Sequence, residues 1–136
     1  TLLASSAASD VYKRQGLNTP FQILMSLGGR EQAAICGALI AARLNSIPVI
    51  IDGFIASSAI APLISVPEIY DHVLFAHQSA EAGHGRLLNK LGKVPMFDLG
   101  MRLGEGSGAA LALNIIRASL ACHNGMATFA EAGIGT

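Results

Sequence analysis

Tryptophan is absent from the 136 residues, and charge is scarce: charged side chains make up 13% of the chain, against a usual share of about 25%. Nine basic and nine acidic residues cancel to a formal net charge of +0. With no basic stripe to neutralise phosphates and no indole to stack on bases, nucleic acid is not an expected partner. There are only two cysteines, Cys36 and Cys122, far apart and each in a helical pattern. They are expected to be reduced core residues of a cytosolic protein, not a disulfide or a metal pair. His77 also lacks a partner at ligand-like spacing, so no metal site is expected.

Several familiar site motifs are missing as well. There is no G-x-x-x-x-G-K-[ST] loop, no G-x-S-x-G elbow and no paired cysteine motif. The run Gly104-Glu105-Gly106-Ser107-Gly108 imitates a dinucleotide-binding loop but lacks its spacing. A chain that is 51% hydrophobic with so few charges has little polar surface to present. It is suited to burial inside a larger protein or a dimer, and a homodimer is expected.

One apolar stretch, residues 47–66, is long enough to span a bilayer but for Asp52. A central aspartate costs roughly 2.5–3.5 kcal/mol on an insertion scale, and Asp52-Gly53 and Pro62 interrupt the run. A buried strand, a polar turn and a helix account for the same letters, so a cytoplasmic protein without a membrane span is expected. Residues 1–15 do not match the rest of the chain. Lys13-Arg14 falls after the apolar part, the reverse of a signal peptide. The string over 5–15 resembles translated adapter sequence; the segment reads as a non-native or disordered leader and is assigned no function.

From Gly16 onward the pattern is regular. Asn18-Thr19-Pro20 is a cap with proline at a helix start, predicting a short helix over 21–27 that Gly28-Gly29 ends. A second helix is predicted over 31–44, with Ile35, Leu39 and Ala42 on one face among small residues that permit close packing. The continuously apolar run over 47–51 reads as a strand covered on both faces of a parallel sheet. A helix over 55–64, a strand over 73–76, a helix over 84–91, a strand over 95–97 and a helix over 109–122 come next. This alternation predicts an α/β fold: a parallel sheet with flanking helices, Rossmann-like and three-layered.

In open parallel sheets, ligands bind beyond the carboxyl ends of the strands. All three predicted strands end in polar loops there: Asp52-Gly53, Gln78-Ser79 with Glu81 and His84, and Asp98 with the later Glu105. In 104–108 the glycines allow close backbone approach, and Ser107 is placed to cap the next helix. The exposed N–H groups of that helix start would favour an anion or hold a carboxylate ionised. The same letters also read as a plain glycine-rich turn with a solvated glutamate. Gly83 could offer its amide to a phosphate, with His84 nearby, or simply start a helix. Ser79 is a loop hydroxyl at a strand end, and Asp52 is either a ligand contact or a cap for the helix that begins at Phe54. His72 and His123 read as surface or helix-end residues, and His77 as structural.

Taken together, several runs resemble the nicotinate-nucleotide:dimethylbenzimidazole phosphoribosyltransferase family. They are Gly28-Gly29 with Glu31 and its Ala-rich helix, Ile47-Pro48-Val49 leading to Asp52-Gly53-Phe54-Ile55, and His77-Gln78-Ser79-Ala80-Glu81 leading to Gly83-His84. Asp98-Leu99-Gly100-Met101-Arg102-Leu103 then enters the glycine-rich run, and Met126-Ala127-Thr128-Phe129-Ala130-Glu131-Ala132 closes the match. The resemblance implies transfer of the phosphoribosyl group of nicotinate mononucleotide to 5,6-dimethylbenzimidazole for the lower loop of cobalamin, with neither cofactor nor metal. It implies Glu105 as the catalytic carboxylate, Ser79, Gly83 and Asp52 in the ribose-phosphate pocket, and Leu103 and Gly104 against the azole. The family enzyme is much longer, so the resemblance implies that residues 16–136 are the C-terminal part of a larger domain. The first two-thirds of that enzyme supply another acidic loop, a lysine and part of the base pocket, and this polypeptide alone is expected to be inactive. A non-catalytic α/β module that binds a nucleotide phosphate is the alternative reading.

Overall fold

A computed structural model describes residues 16–135; the segment read as a leader lies outside them. The first helix, α1 (Pro20–Leu27), starts where the cap was expected. Thr19 Oγ1 accepts from the Gln22 amide at 3.2 Å and Gln22 Oε1 accepts from the Thr19 amide at 3.0 Å, satisfying two N-terminal donors reciprocally. Helix α2 (Arg30–Leu44) begins after two glycines and turns Cys36 and Leu39 fully inward, with Ile35 and Ala42 half-buried beside them.

Strand β1 (Val49–Ile51) pairs in parallel with β2 (Val73–Phe75), in the register Val49 to Val73 and Ile51 to Phe75. Between them the chain makes α3 (Phe54–Ile60) and two 3-10 turns, Ala61–Ser65 and Pro67–Tyr70. The helix predicted over 55–64 thus ends early, because Pro62 cannot continue an α-helical hydrogen-bond ladder. Helix α4 (His84–Leu91) crosses back from β2. The third predicted strand is reduced to one parallel bridge, His77 with Phe97, flanked by the Met96 amide donating to the Phe75 carbonyl. Helix α5 (Ser107–Gly125) is the last helix of the described chain.

The core lies where α2, α3 and α4 meet the two strands: Cys36, Leu39, Ile51, Ile60, Leu63, Phe75 and Leu88 form one cluster. Tyr70 is sealed into it, donating its hydroxyl to the Ile60 carbonyl at 2.7 Å, and burial pushes its phenol up to about 12. Two expectations change. Leu74 is 44% exposed, so among the described residues one face of the sheet is left partly uncovered at β2. Cys36 is buried as expected, but Cys122 is exposed, because α5 buries only Gly108 and Ala112 of its 19 residues.

Candidate active site

The carboxyl ends of β1 and β2 open into a cavity of about 380 Å³, a size that suits a small-molecule ligand. Asp52, Gly53 and Phe54 line it from the end of β1, and His77, Ser79 and Glu81 from the end of β2. Arg102, Leu103, Gly104 and Glu105 line it from the loop that leads into α5. Five residues singled out in the sequence, Asp52, Ser79, Leu103, Gly104 and Glu105, therefore share one cavity.

Asp52 does not cap α3, whose capping position is taken by Gly53 with no side-chain hydrogen bond. Its Oδ1 instead accepts from the Ala109 amide at 2.9 Å, reaching the first turn of α5 from 57 residues away. The same oxygen lies 4.0 Å from Nδ1 of His77, whose side chain is 2% exposed and stacks on Phe97. A carboxylate on helix N-terminal amides is the arrangement a helix dipole favours. Ser107, expected to cap this helix, makes no cap; its hydroxyl is buried with no hydrogen-bond partner among the described residues. Asp52 fills that role because the fold carries it to the amide.

Three successive residues ahead of α5 have left-handed backbones: Gly104 at φ 78°, Glu105 at φ 56° and Gly106 at φ 76°. Glycine adopts this region freely, but a glutamate there is strained by roughly 1–2 kcal/mol. The Ser107 amide donates to the Gly104 carbonyl at 3.0 Å, closing a tight turn that leaves the Glu105 side chain exposed at the cavity. Non-glycine residues held in this way cluster at functional sites.

The wall formed by residues 77–84 is organised by His84, which is 1% exposed. The Ser79 amide donates to Nδ1 of His84 at 2.9 Å. That bond leaves the ring proton on Nε2, which donates to Ser57 Oγ at 3.1 Å. Desolvation, and then the neighbouring His77, hold its pKa below the ordinary histidine value. His84 is a neutral strut and does not line the cavity. The Ser79 hydroxyl donates to Glu81 Oε2 at 3.0 Å, fixing the loop that both residues share. Gly83 does not line the cavity either. A Cβ there would meet Phe54 Cζ at 2.7 Å, so its bareness seats the Phe54 ring that forms the wall.

Asp98 also stands outside the cavity, its carboxylate accepting from Gln78 Nε2 and from the Gly100 amide, each at 3.2 Å. Arg102 was not singled out as a site residue, yet it is the one positively charged side chain on the lining. Its place between Met101 and the glycine-rich run was the available signal. His72 is half-buried rather than at the surface, and neither ring nitrogen has a hydrogen-bond partner among the described residues. His123 sits exposed in the last turn of α5 as expected. A second cavity of about 440 Å³, bounded by α1, the Ala61–Ser65 turn and α4, has mainly apolar walls and includes none of the predicted site residues.

The DBI_PRT family model, described as phosphoribosyltransferase, matches residues 4–134. Nicotinate-nucleotide–dimethylbenzimidazole phosphoribosyltransferases of Brucella canis and Brucella anthropi are each 59% identical over 119 residues, covering 87% of this chain and 35% of theirs. The crystal structure of the Thermus thermophilus protein of that name superposes with a TM-score of 0.79 at 35% identity, covering 90% of this chain and 37% of that one. The chain thus spans about a third of the length of the relatives it matches. With the family model covering nearly the whole of it, this chain belongs to the DBI_PRT family of phosphoribosyltransferases.

Proposed function

We propose that the full-length protein carrying this chain moves the phosphoribosyl group of nicotinate mononucleotide to 5,6-dimethylbenzimidazole. The products are α-ribazole 5'-phosphate and nicotinate, for the nucleotide loop of cobalamin. The observation that carries this reading is the shared cavity, in which Glu105 lines the same space as the polar strand ends at Asp52 and Ser79. The names of the Brucella and Thermus relatives support it.

The chemistry suits a lone carboxylate. In the nucleotide, nicotinate is attached through a positively charged ring nitrogen. When the bond to the anomeric carbon breaks, the ring keeps the electron pair and becomes neutral as a pyridine, needing little acid assistance. The free nitrogen of the azole supplies the pair for the new bond and becomes positively charged, which acidifies the remaining N–H. Glu105 takes that proton, and positioning supplies most of the remaining advantage. Attack opposite the departing group converts a β-nucleotide to an α-product. Leu103 and Gly104 lie against the azole, and Arg102 gives the cavity lining a positive charge suited to an anionic nucleotide. Ser79 contributes from the β2 end, and Gly83 acts through Phe54.

We read the working protein as a cytoplasmic homodimer. Leu111, Leu113, Ile115 and Leu120 are exposed along α5, and such a surface suits cover in an assembled protein. Among the described residues no helix is long and apolar enough to cross a membrane.

Glu105→Gln in the full-length protein tests the reading. Turnover is expected to fall by roughly 10²–10⁴-fold, the usual contribution of a positioned base, while nicotinate mononucleotide still binds with little change. Unchanged turnover would remove Glu105 from the mechanism.

A further inference from the structure

Among the described residues, and apart from the helical ladder of α5 itself, the hydrogen bond from the Ala109 amide to Asp52 Oδ1, 2.9 Å long, is the one that ties residues 102–110 to another element of the fold. Outside the α5 ladder, the other backbone bonds of this segment are internal: Ser107 to Gly104 and Ala110 to Gly106. The preceding anchor is the Ala80 amide on the Met101 carbonyl at 3.0 Å. Beyond that point the loop carries Leu103, Gly104 and Glu105 along the cavity with no further tertiary hydrogen bond until Ala109. Residues 102–106, exposed and with three left-handed residues in succession, have little packing of their own to hold them in one place. Their orientation is therefore set by where the first turn of α5 is pinned.

Two groups do the pinning. Asp52, at the tip of β1, holds the Ala109 amide. The buried His77 ring, extending from the end of β2, fills the space directly beneath Gly108, where any side chain would collide with it. Asp52 and His77 lie at the ends of neighbouring parallel strands and brace the same helix turn, so the sheet edge is joined to the turn that follows the Glu105 loop.

We infer that Asp52 is the positioning residue of the Glu105 loop: it acts through α5, by capping the Ala109 amide, and not by touching the nucleotide. The inference rests on the reading of Glu105 as the base, but it also makes a claim about the loop that does not depend on that reading.

The test uses Asp52→Ala and Asp52→Asn in the full-length protein, with steady-state kinetics and amide hydrogen exchange over residues 104–110. Asp52→Ala is expected to lower kcat by about 10²-fold, the scale of a misplacement near 1 Å. Its KM for nicotinate mononucleotide should change only slightly, and exchange in the segment should rise. Asp52→Asn keeps the acceptor oxygen without the charge, and is expected to recover most of the turnover and the protection. Should Asp52→Ala fail to fold, Asp52→Ser, too short to reach the amide, is expected to show the same kcat loss and faster exchange. Equal losses in the Asn and Ala (or Ser) variants with a raised KM would overturn the inference, since charge on the substrate would then be what matters. Unchanged exchange in the Ala or Ser variant would overturn it too. If Glu105→Gln turns over normally while Asp52→Ala still loosens the segment, the reading of Glu105 fails and the positioning of the loop by Asp52 stands.

Discussion

Gly108 and His77 fit together only because position 108 carries no side chain: a Cβ built there would lie 2.5 Å from Cε1 of the buried ring and closer still to Nδ1. The ring cannot retreat, being 2% exposed and stacked on Phe97. The first turn of α5 is thus seated on a histidine from the neighbouring strand end, about one helical turn past Glu105.

Gly108→Ala is accordingly expected to destabilise the full-length protein by about 1–3 kcal/mol, the range for overpacking a filled site. Chemical denaturation measures this directly. Shortening the ring in a Gly108→Ala/His77→Ala double variant should cost less than the sum of the two single changes. Strict additivity would mean that helix and ring do not meet.

Glu105 offers a prediction of the opposite sign. Its left-handed backbone, φ 56°, costs energy that glycine would not. Glu105→Gly should leave stability unchanged or raise it by up to about 1 kcal/mol, while abolishing most of the turnover. Urea midpoints and initial rates on the same preparation separate the two effects. A fall in the midpoint would instead assign the carboxylate a structural contact.

The buried His84 makes stability depend on pH. Desolvation lowers its folded pKa below the ordinary 6.5, so the folded state binds fewer protons than the unfolded chain between those two values. Its contribution is fully present above 6.5 and is lost as pH falls through the lowered folded value. The denaturation midpoint should therefore drop on going from about pH 7 to about pH 5. His84→Gln, neutral throughout, should start lower but flatten that slope. An unaltered slope would place the acid sensitivity elsewhere.

Local chemistry was legible in the order of the letters. Thr19-Pro20 starts α1, Gly28-Gly29 ends it, the apolar runs at 49–51 and 73–75 pair in parallel, and the loops after β1 and β2 converge with the glycine-rich run, though Asp98 stays outside. These are short-range matters of φ/ψ preference, capping and apolar periodicity, which neighbours along the chain determine. The third strand was less legible, since a bridge and a strand differ only in how far pairing runs.

The rest required the tertiary structure. Ser107 has the right chemistry for a cap and the right position, yet Asp52, 57 residues before Ala109, takes the amide. Gly83 reads as a phosphate-binding glycine, yet it makes room for Phe54. His84 reads as either a neighbour of that phosphate or the start of a helix and is a buried strut, while Arg102 lines the cavity unannounced. By itself the sequence determined which segments would be helix, strand and turn, and that a glutamate sits in a glycine-rich loop. Which acceptor claims an amide, and which glycine must stay bare, depend on atoms brought together from distant parts of the chain, and only the packing of the sheet against α5 decides those.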